Sequence, residues 1–137
     1  MKEKILIAED NPLHMRILEL TLRATGYQLL KATNGAEALD MATKDKPDLI
    51  MMDIHLPKMN GFEVAKKLRE QPSCRHIPII ALTAYATSQD RKRVIESGCN
   101  VYFSKPINTR ELPVVVADLL KVKRNEENDG EKSPGSR

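Results

Sequence analysis

A doubly wound α/β sheet is the fold class this sequence predicts, and three observations predict it. Short apolar runs recur at Ile5 to Ala8, Gln28 to Ala32, Leu49 to Asp53, Ile77 to Thr83 and Val101 to Ser104. Longer helical patterns lie between them, so strand and helix alternate along the chain. The first, third and fourth runs are continuously apolar rather than alternating, as parallel strands covered by helices on both faces must be.

The helices carry their own punctuation. Asn11-Pro12 opens the first, because proline at the first helical position has no N–H to waste, and Gly26 closes it. Leu13, Ile17, Leu20 and Ala24 fall on one side and are its expected buried face. Asn34, Asn60 and Asn108 are each followed three residues later by Glu37, Glu63 and Glu111, a spacing at which cap and third residue satisfy each other's backbone donors. The fourth helix, near Thr87 to Ser97, has only Val94 and Ile95 as plainly apolar residues and should pack loosely. The last turns Leu112, Val115, Val116, Leu119 and Leu120 inward, with Pro113 near its start, where proline costs least. Gly61 is expected to close the loop after Asp53 with a backbone angle that other residues resist.

At 137 residues, one domain over 1–123 accounts for the chain, and residues 124–137 read as a disordered polar tail without apolar residues to bury. The content of 41% apolar and 30% charged residues is that of a soluble globular protein, and no run approaches membrane-spanning length, which points to the cytoplasm. Cys74 and Cys99 have neither C-x-x-C spacing nor a secretory context, so both read as ordinary thiols. The net charge of +3 is spread over short patches such as Arg91-Lys92-Arg93 that neighbour acids, and tryptophan is absent; neither nucleic acid nor membrane is an expected partner.

In a doubly wound sheet, ligands bind beyond the carboxyl ends of the strands. Those ends carry Glu9-Asp10 after the first strand, Asp53 closing the third, Thr83 closing the fourth and Lys105 after the fifth. Three carboxylates brought together repel unless a cation sits among them. All-oxygen ligands, without His or Cys at metal spacing, favour a hard divalent ion, Mg2+ with Mn2+ as a substitute. Three carboxylates, one such ion and the Lys105 ammonium sum to about zero charge. A carboxylate can also serve as nucleophile toward a phosphoryl group, whose transfer depends on positioning and on cations that neutralise spreading charge. Asp53 is then the acceptor, with Lys105 and the Thr83 hydroxyl as donors to the new oxygens.

The segments I-L-I-A-E-D-N, M-M-D-I-H-L-P-K-M-N-G, I-I-A-L-T-A and F-S-K-P-I resemble the receiver domains of two-component response regulators, a likeness that covers residues 3 to about 122. The resemblance implies the flavodoxin-like, CheY-like fold, five parallel strands in order 2-1-3-4-5 with five helices. It further implies that Asp10 and Asp53 bind Mg2+ directly, that Glu9 helps partly through water, and that the backbone carbonyl of His55 is another ligand. Phosphoryl would come from a sensor histidine kinase or a histidine phosphotransfer protein, and Lys105 would precede a cis Pro106.

By the same resemblance Thr83 and Tyr102 form a switch: Thr83 moves toward the phosphoryl oxygens, and Tyr102 turns into the vacated space. A downstream protein would then be met through the fourth helix, fifth strand and fifth helix, the chain being a monomer or a phosphorylation-dependent dimer. No output domain is expected after Lys123, so the expected output is contact with another protein. His55 and Tyr85 lie two positions beyond Asp53 and Thr83 and should flank the path of water to the acyl phosphate, whereas His14 and His76 read as surface residues. The chain is therefore expected not to be an enzyme beyond assisting its own phosphorylation and dephosphorylation. The alternatives are a receiver-type binding module that works without phosphorylation and an aspartyl-nucleophile phosphatase. The phosphatase usually needs a second acid where this chain has His55.

Overall fold

The structure, a computed structural model, describes residues 2–23, 25–84 and 87–132, with residues 123–132 as backbone alone. Strands β1 (Lys4–Ala8), β2 (Gln28–Ala32), β3 (Leu49–Asp53), β4 (Ile79–Thr83) and β5 (Val101–Ser104) alternate with helices α1 (Pro12–Arg23), α2 (Gly35–Asp45), α3 (Gly61–Glu70), α4 (Ser88–Glu96) and α5 (Glu111–Lys132). All pairings are parallel and the strand order is β2-β1-β3-β4-β5, the order the family resemblance implied. Every residue of β3 and β4 is buried: the apolar residues 49–52 and 79–82 as strands covered on both faces must be, and the polar Asp53 and Thr83 at their carboxyl ends with them.

Alternation along the strands divides the core into two layers. Leu6, Ile50, Met52, Ile79 and Ala81 meet Ala38 and Ala42 of α2, Val64, Ala65 and Leu68 of α3, and Val94 of α4. On the opposite face Ile5, Ile7, Leu49, Met51, Ile80 and Leu82 meet Met15, Leu18 and Leu22 of α1 and Leu112, Val116 and Leu120 of α5. The helix starts follow their caps. Asn34 accepts from the Glu37 amide at 2.8 Å and Asn60 from the Glu63 amide at 3.0 Å. Asn108 accepts from Glu111 at 3.0 Å, and Thr87 from Asp90 at 3.1 Å. Val94 is the buried residue of α4, which packs as sparsely as expected.

Three expectations change. The buried face of α1 is Met15, Leu18 and Leu22, while Leu13, Ile17 and Leu20 are exposed at 66%, 39% and 53%; Ala24 lies outside the described residues. Both stripes have helical spacing, and the direction of approach to the sheet decides between them. Gly61 has no left-handed angle: it is glycine for space, because an added Cβ would stand 2.9 Å from the Ile54 Cα and 3.0 Å from the Asp53 carbonyl oxygen. The loop's left-handed residue is Lys58, at φ 68°. Finally, α5 does not stop at Lys123. Its backbone stays helical through Lys132, extending a helix already nucleated upstream, where each added residue costs less than a new start. Residues 133–137 of the expected tail lie outside the described residues.

Candidate functional site at the carboxyl edge of the sheet

The site begins where β1 and β3 end side by side. Ala8 pairs with Met52, so the next residues, Glu9 and Asp53, leave adjacent strands at the same level. Both are buried, at 1% and 7% exposure, while Asp10 is exposed. One carboxylate oxygen from each of Glu9, Asp10 and Asp53 lies within 4.8 Å of the others.

Each buried carboxylate is held at both oxygens. Glu9 Oε2 accepts from the Asn11 amide at 3.1 Å and its Oε1 from Lys105 Nζ at 2.6 Å. Asp53 Oδ1 accepts from the His55 amide at 2.8 Å and its Oδ2 from Lys105 Nζ at 2.7 Å. These are charge-assisted bonds in a water-poor setting, which makes them stronger than neutral ones. Burial pulls the Lys105 pKa down, but hydrogen bonds to Asp53 and Glu9, with the charges of both, outweigh it and leave it raised. The ammonium therefore stays charged.

The backbone brings Lys105 into reach. Its amide donates to the Thr83 carbonyl at 2.8 Å, tying the end of β5 to the end of β4, and a cis peptide joins Lys105 to Pro106. Thr83 is buried, one position beyond Leu82, the register partner of Asp53. Tyr102 is half-buried on β5 beside Ala81, and the Arg91 guanidinium of α4 lies 5.2 Å from its ring centre, within range of a cation–π attraction. The His55 side chain is exposed, and so is His76; Tyr85 lies outside the described residues.

Sequence reasoning missed His14. Its Nδ1 lies 3.0 Å from Lys105 Nζ, so a residue read as surface decoration touches the site's cation. Only one weak signal existed, the start of α1 directly after the acid pair; the partners themselves are 91 residues apart.

The fit to a divalent cation follows from the donor set. Three carboxylates against one ammonium leave two negative charges, and the ligands are all oxygen, the set a hard ion takes. Receiver domains generally bind Mg2+, and Glu9, Asp10 and Asp53 are the residues here that would hold it. Among the described residues no helix is long and apolar enough to cross a membrane.

Comparison with known proteins agrees with this geometry. Residues 5–117 match the response regulator receiver domain family. The chain is 45% identical over 108 residues to the polar-differentiation response regulator DivK of Brucella anthropi, covering 79% of this chain and 88% of that one. The fold superposes on the receiver domain of a Pseudomonas aeruginosa sensor histidine kinase with a TM-score of 0.82 at 34% identity, covering 88% of this chain and 99% of that one. That structure carries a magnesium ion coordinated in its active-site cleft. The chemotaxis response regulator CheY4 of Vibrio cholerae matches at a TM-score of 0.81 and 28% identity, over 87% of this chain and 99% of that one. With its parallel sheet and acid cluster in place, the chain belongs to the response regulator receiver domains, the phosphorylation-activated switches of two-component signalling.

Proposed function

We propose that Asp53 is the phosphoryl acceptor and that Glu9, Asp10, Asp53 and the His55 carbonyl hold the Mg2+ that assists it. The supporting observation is the placement of Lys105 Nζ, 2.7 Å from Asp53 Oδ2 and bonded also to Glu9, in a cluster with a further exposed carboxylate. A carboxylate oxygen of Asp53 attacks the phosphorus of a phosphohistidine on a sensor histidine kinase or a phosphotransfer protein. The P–N bond breaks, a P–O bond forms, and the departing imidazole nitrogen takes a proton from solvent water. Bound Mg2+ supplies charge neutralisation at the phosphoryl oxygens. Lys105 need travel only from the carboxylate to the new phosphoryl group, and the buried Thr83 hydroxyl supplies the second donor.

Signalling on this reading is a population shift. Movement of Thr83 toward the phosphoryl group frees space beside Tyr102, whose ring is tethered to α4 by Arg91. The sparsely packed α4 then rearranges, and the α4–β5–α5 face is presented to a downstream protein in the cytoplasm, by a monomer or a phosphorylation-dependent dimer. On this reading the chain's chemistry is confined to assisting its own phosphorylation and dephosphorylation.

The deciding experiment is incubation with acetyl phosphate and Mg2+, followed by intact mass. Wild type should gain one alkali-labile phosphoryl group, and Asp53→Asn none. A wild-type protein that stays unmodified, also with a phosphorylated histidine kinase as donor, would leave a phosphorylation-independent binding module as the better reading.

A further inference from the structure

The ammonium of Lys105 has three hydrogens and three acceptors. Two are the carboxylates already described, Glu9 Oε1 at 2.6 Å and Asp53 Oδ2 at 2.7 Å. The third is Nδ1 of His14, at 3.0 Å. These acceptors come from the end of β1, the end of β3 and the first turn of α1. Two carboxylates alone leave the head group free to pivot about the line joining them; an acceptor off that line removes the freedom.

The roles within the contact follow from charge. A protonated lysine only donates, so His14 must accept on Nδ1 and carry its hydrogen on Nε2. A protonated His14 paired with Glu9 is the competing geometry, but Nδ1 stands 3.9 Å from Glu9 Oε1, beyond hydrogen-bonding reach. The His14 side chain is 41% exposed and that of Lys105 12%, so the imidazole lies at the boundary between the ammonium and solvent. Its backbone is fixed as well, because the His14 amide donates to the Asn11 side chain at 3.1 Å in the cap of α1.

We propose that His14 is a positioning residue for Lys105: its Nδ1 takes the third ammonium hydrogen and fixes the head group beside Asp53, where an incoming phosphoryl group needs it. The inference rests on the reading of Asp53 as acceptor. Its chemistry is that of a neutral acceptor, so any side chain presenting a lone pair at the same reach replaces it. Asparagine does so, since Oδ1 of Asn and Nδ1 of His are both three bonds from Cα. Alanine cannot, although as the best helix former it leaves α1 intact.

The test has two arms. In metal-free protein at a pH where imidazoles are neutral, long-range 1H–15N spectra should show His14 with Nδ1 unprotonated and Nε2 protonated. With acetyl phosphate and Mg2+, His14→Ala should form the adduct about three- to tenfold more slowly than wild type, the scale of one lost bond to a charged group partly replaced by water. His14→Asn should stay within about twofold of wild type on the same grounds. A protonated Nδ1 in wild type overturns the proposal, as do equal rates for the Ala and Asn variants, whether both slow or both normal. Should wild type form no adduct, the acceptor reading fails, and the tautomer still decides whether His14 holds Lys105.

Discussion

Lys105 is the cation of a fully buried acid: its Nζ lies 2.6 Å from Oε1 of Glu9, whose side chain has no exposure to solvent. The same ammonium bonds Asp53, so its removal strands two buried negative charges at once. Breaking a buried pair from one side costs about 3–5 kcal/mol, mostly the penalty on the charge left behind. Lys105→Met should therefore lower the urea-unfolding free energy of metal-free protein by about 3 kcal/mol. Saturating Mg2+ should restore more stability to the variant than it adds to wild type. Equal Mg2+ effects on both proteins would refute the assignment of Lys105 as the cation that neutralises Glu9 and Asp53.

Gly35 opens α2 against the loop that follows Asp53, and its amide donates to the Pro57 carbonyl at 3.1 Å. A Cβ there would meet the Met59 carbonyl oxygen at 1.7 Å, and a backbone atom cannot swing aside like the end of a side chain. Gly35→Ala should cost at least about 3 kcal/mol, and Gly61→Ala, with its nearest contact at 2.9 Å, about 1–2 kcal/mol. Denaturant titration of the two variants checks the order.

Arg69 of α3 joins two loops. Its guanidinium donates to the carbonyls of Gly98 at 2.9 Å, Ile77 at 2.7 Å and Arg75 at 3.0 Å, and to the Asn100 side chain at 3.0 Å. Asn100 Oδ1 in turn accepts from the Ile79 amide at 2.8 Å, at the start of β4. A lysine has neither the planar fork nor the five donors, so Arg69→Lys should destabilise nearly as much as Arg69→Met, by about 2–4 kcal/mol in each case. Thermal melts in which Lys behaves like wild type would show that charge alone suffices.

Cys99 is 4% exposed, and burial raises its thiol pKa above the ordinary 9.0, with the Ser97 hydrogen bond and the Arg69 charge opposing but not cancelling this. The native protein then keeps the proton where the unfolded chain has lost it. The associated stability is present below pH 9.0 and declines as pH climbs toward the folded value. The stability of wild type relative to Cys99→Ala should therefore shrink on going from neutral to alkaline pH. A gap independent of pH would contradict the shift.

On α1, Leu18 is buried and Leu20 is 53% exposed, two positions away. Leu18→Ala should cost about 2–5 kcal/mol, and Leu20→Lys less than about 0.5 kcal/mol. Urea midpoints of the two variants measure the contrast, and a large loss at Leu20 would reverse the orientation of the helix.

The sequence by itself determined the order of strands and helices, because short apolar runs such as residues 49–52, spaced between longer helical patterns, read as covered parallel strands, and local caps such as Asn34 and Asn60 mark helix starts. It also put Glu9, Asp10, Asp53, Thr83 and Lys105 at or just beyond strand ends, where ligands bind in such a sheet, and folding brings Glu9, Asp10, Asp53 and Lys105 together there. What only the tertiary structure decided were matters of direction and distance. Two apolar stripes of equal periodicity competed on α1, and docking against the sheet buried Met15, Leu18 and Leu22. Gly61 was explained by a close approach and not by an angle. His14 met Lys105 across 91 residues of chain, a contact without local sequence correlate because hydrogen bonding follows separation in space, and folding alone sets that separation.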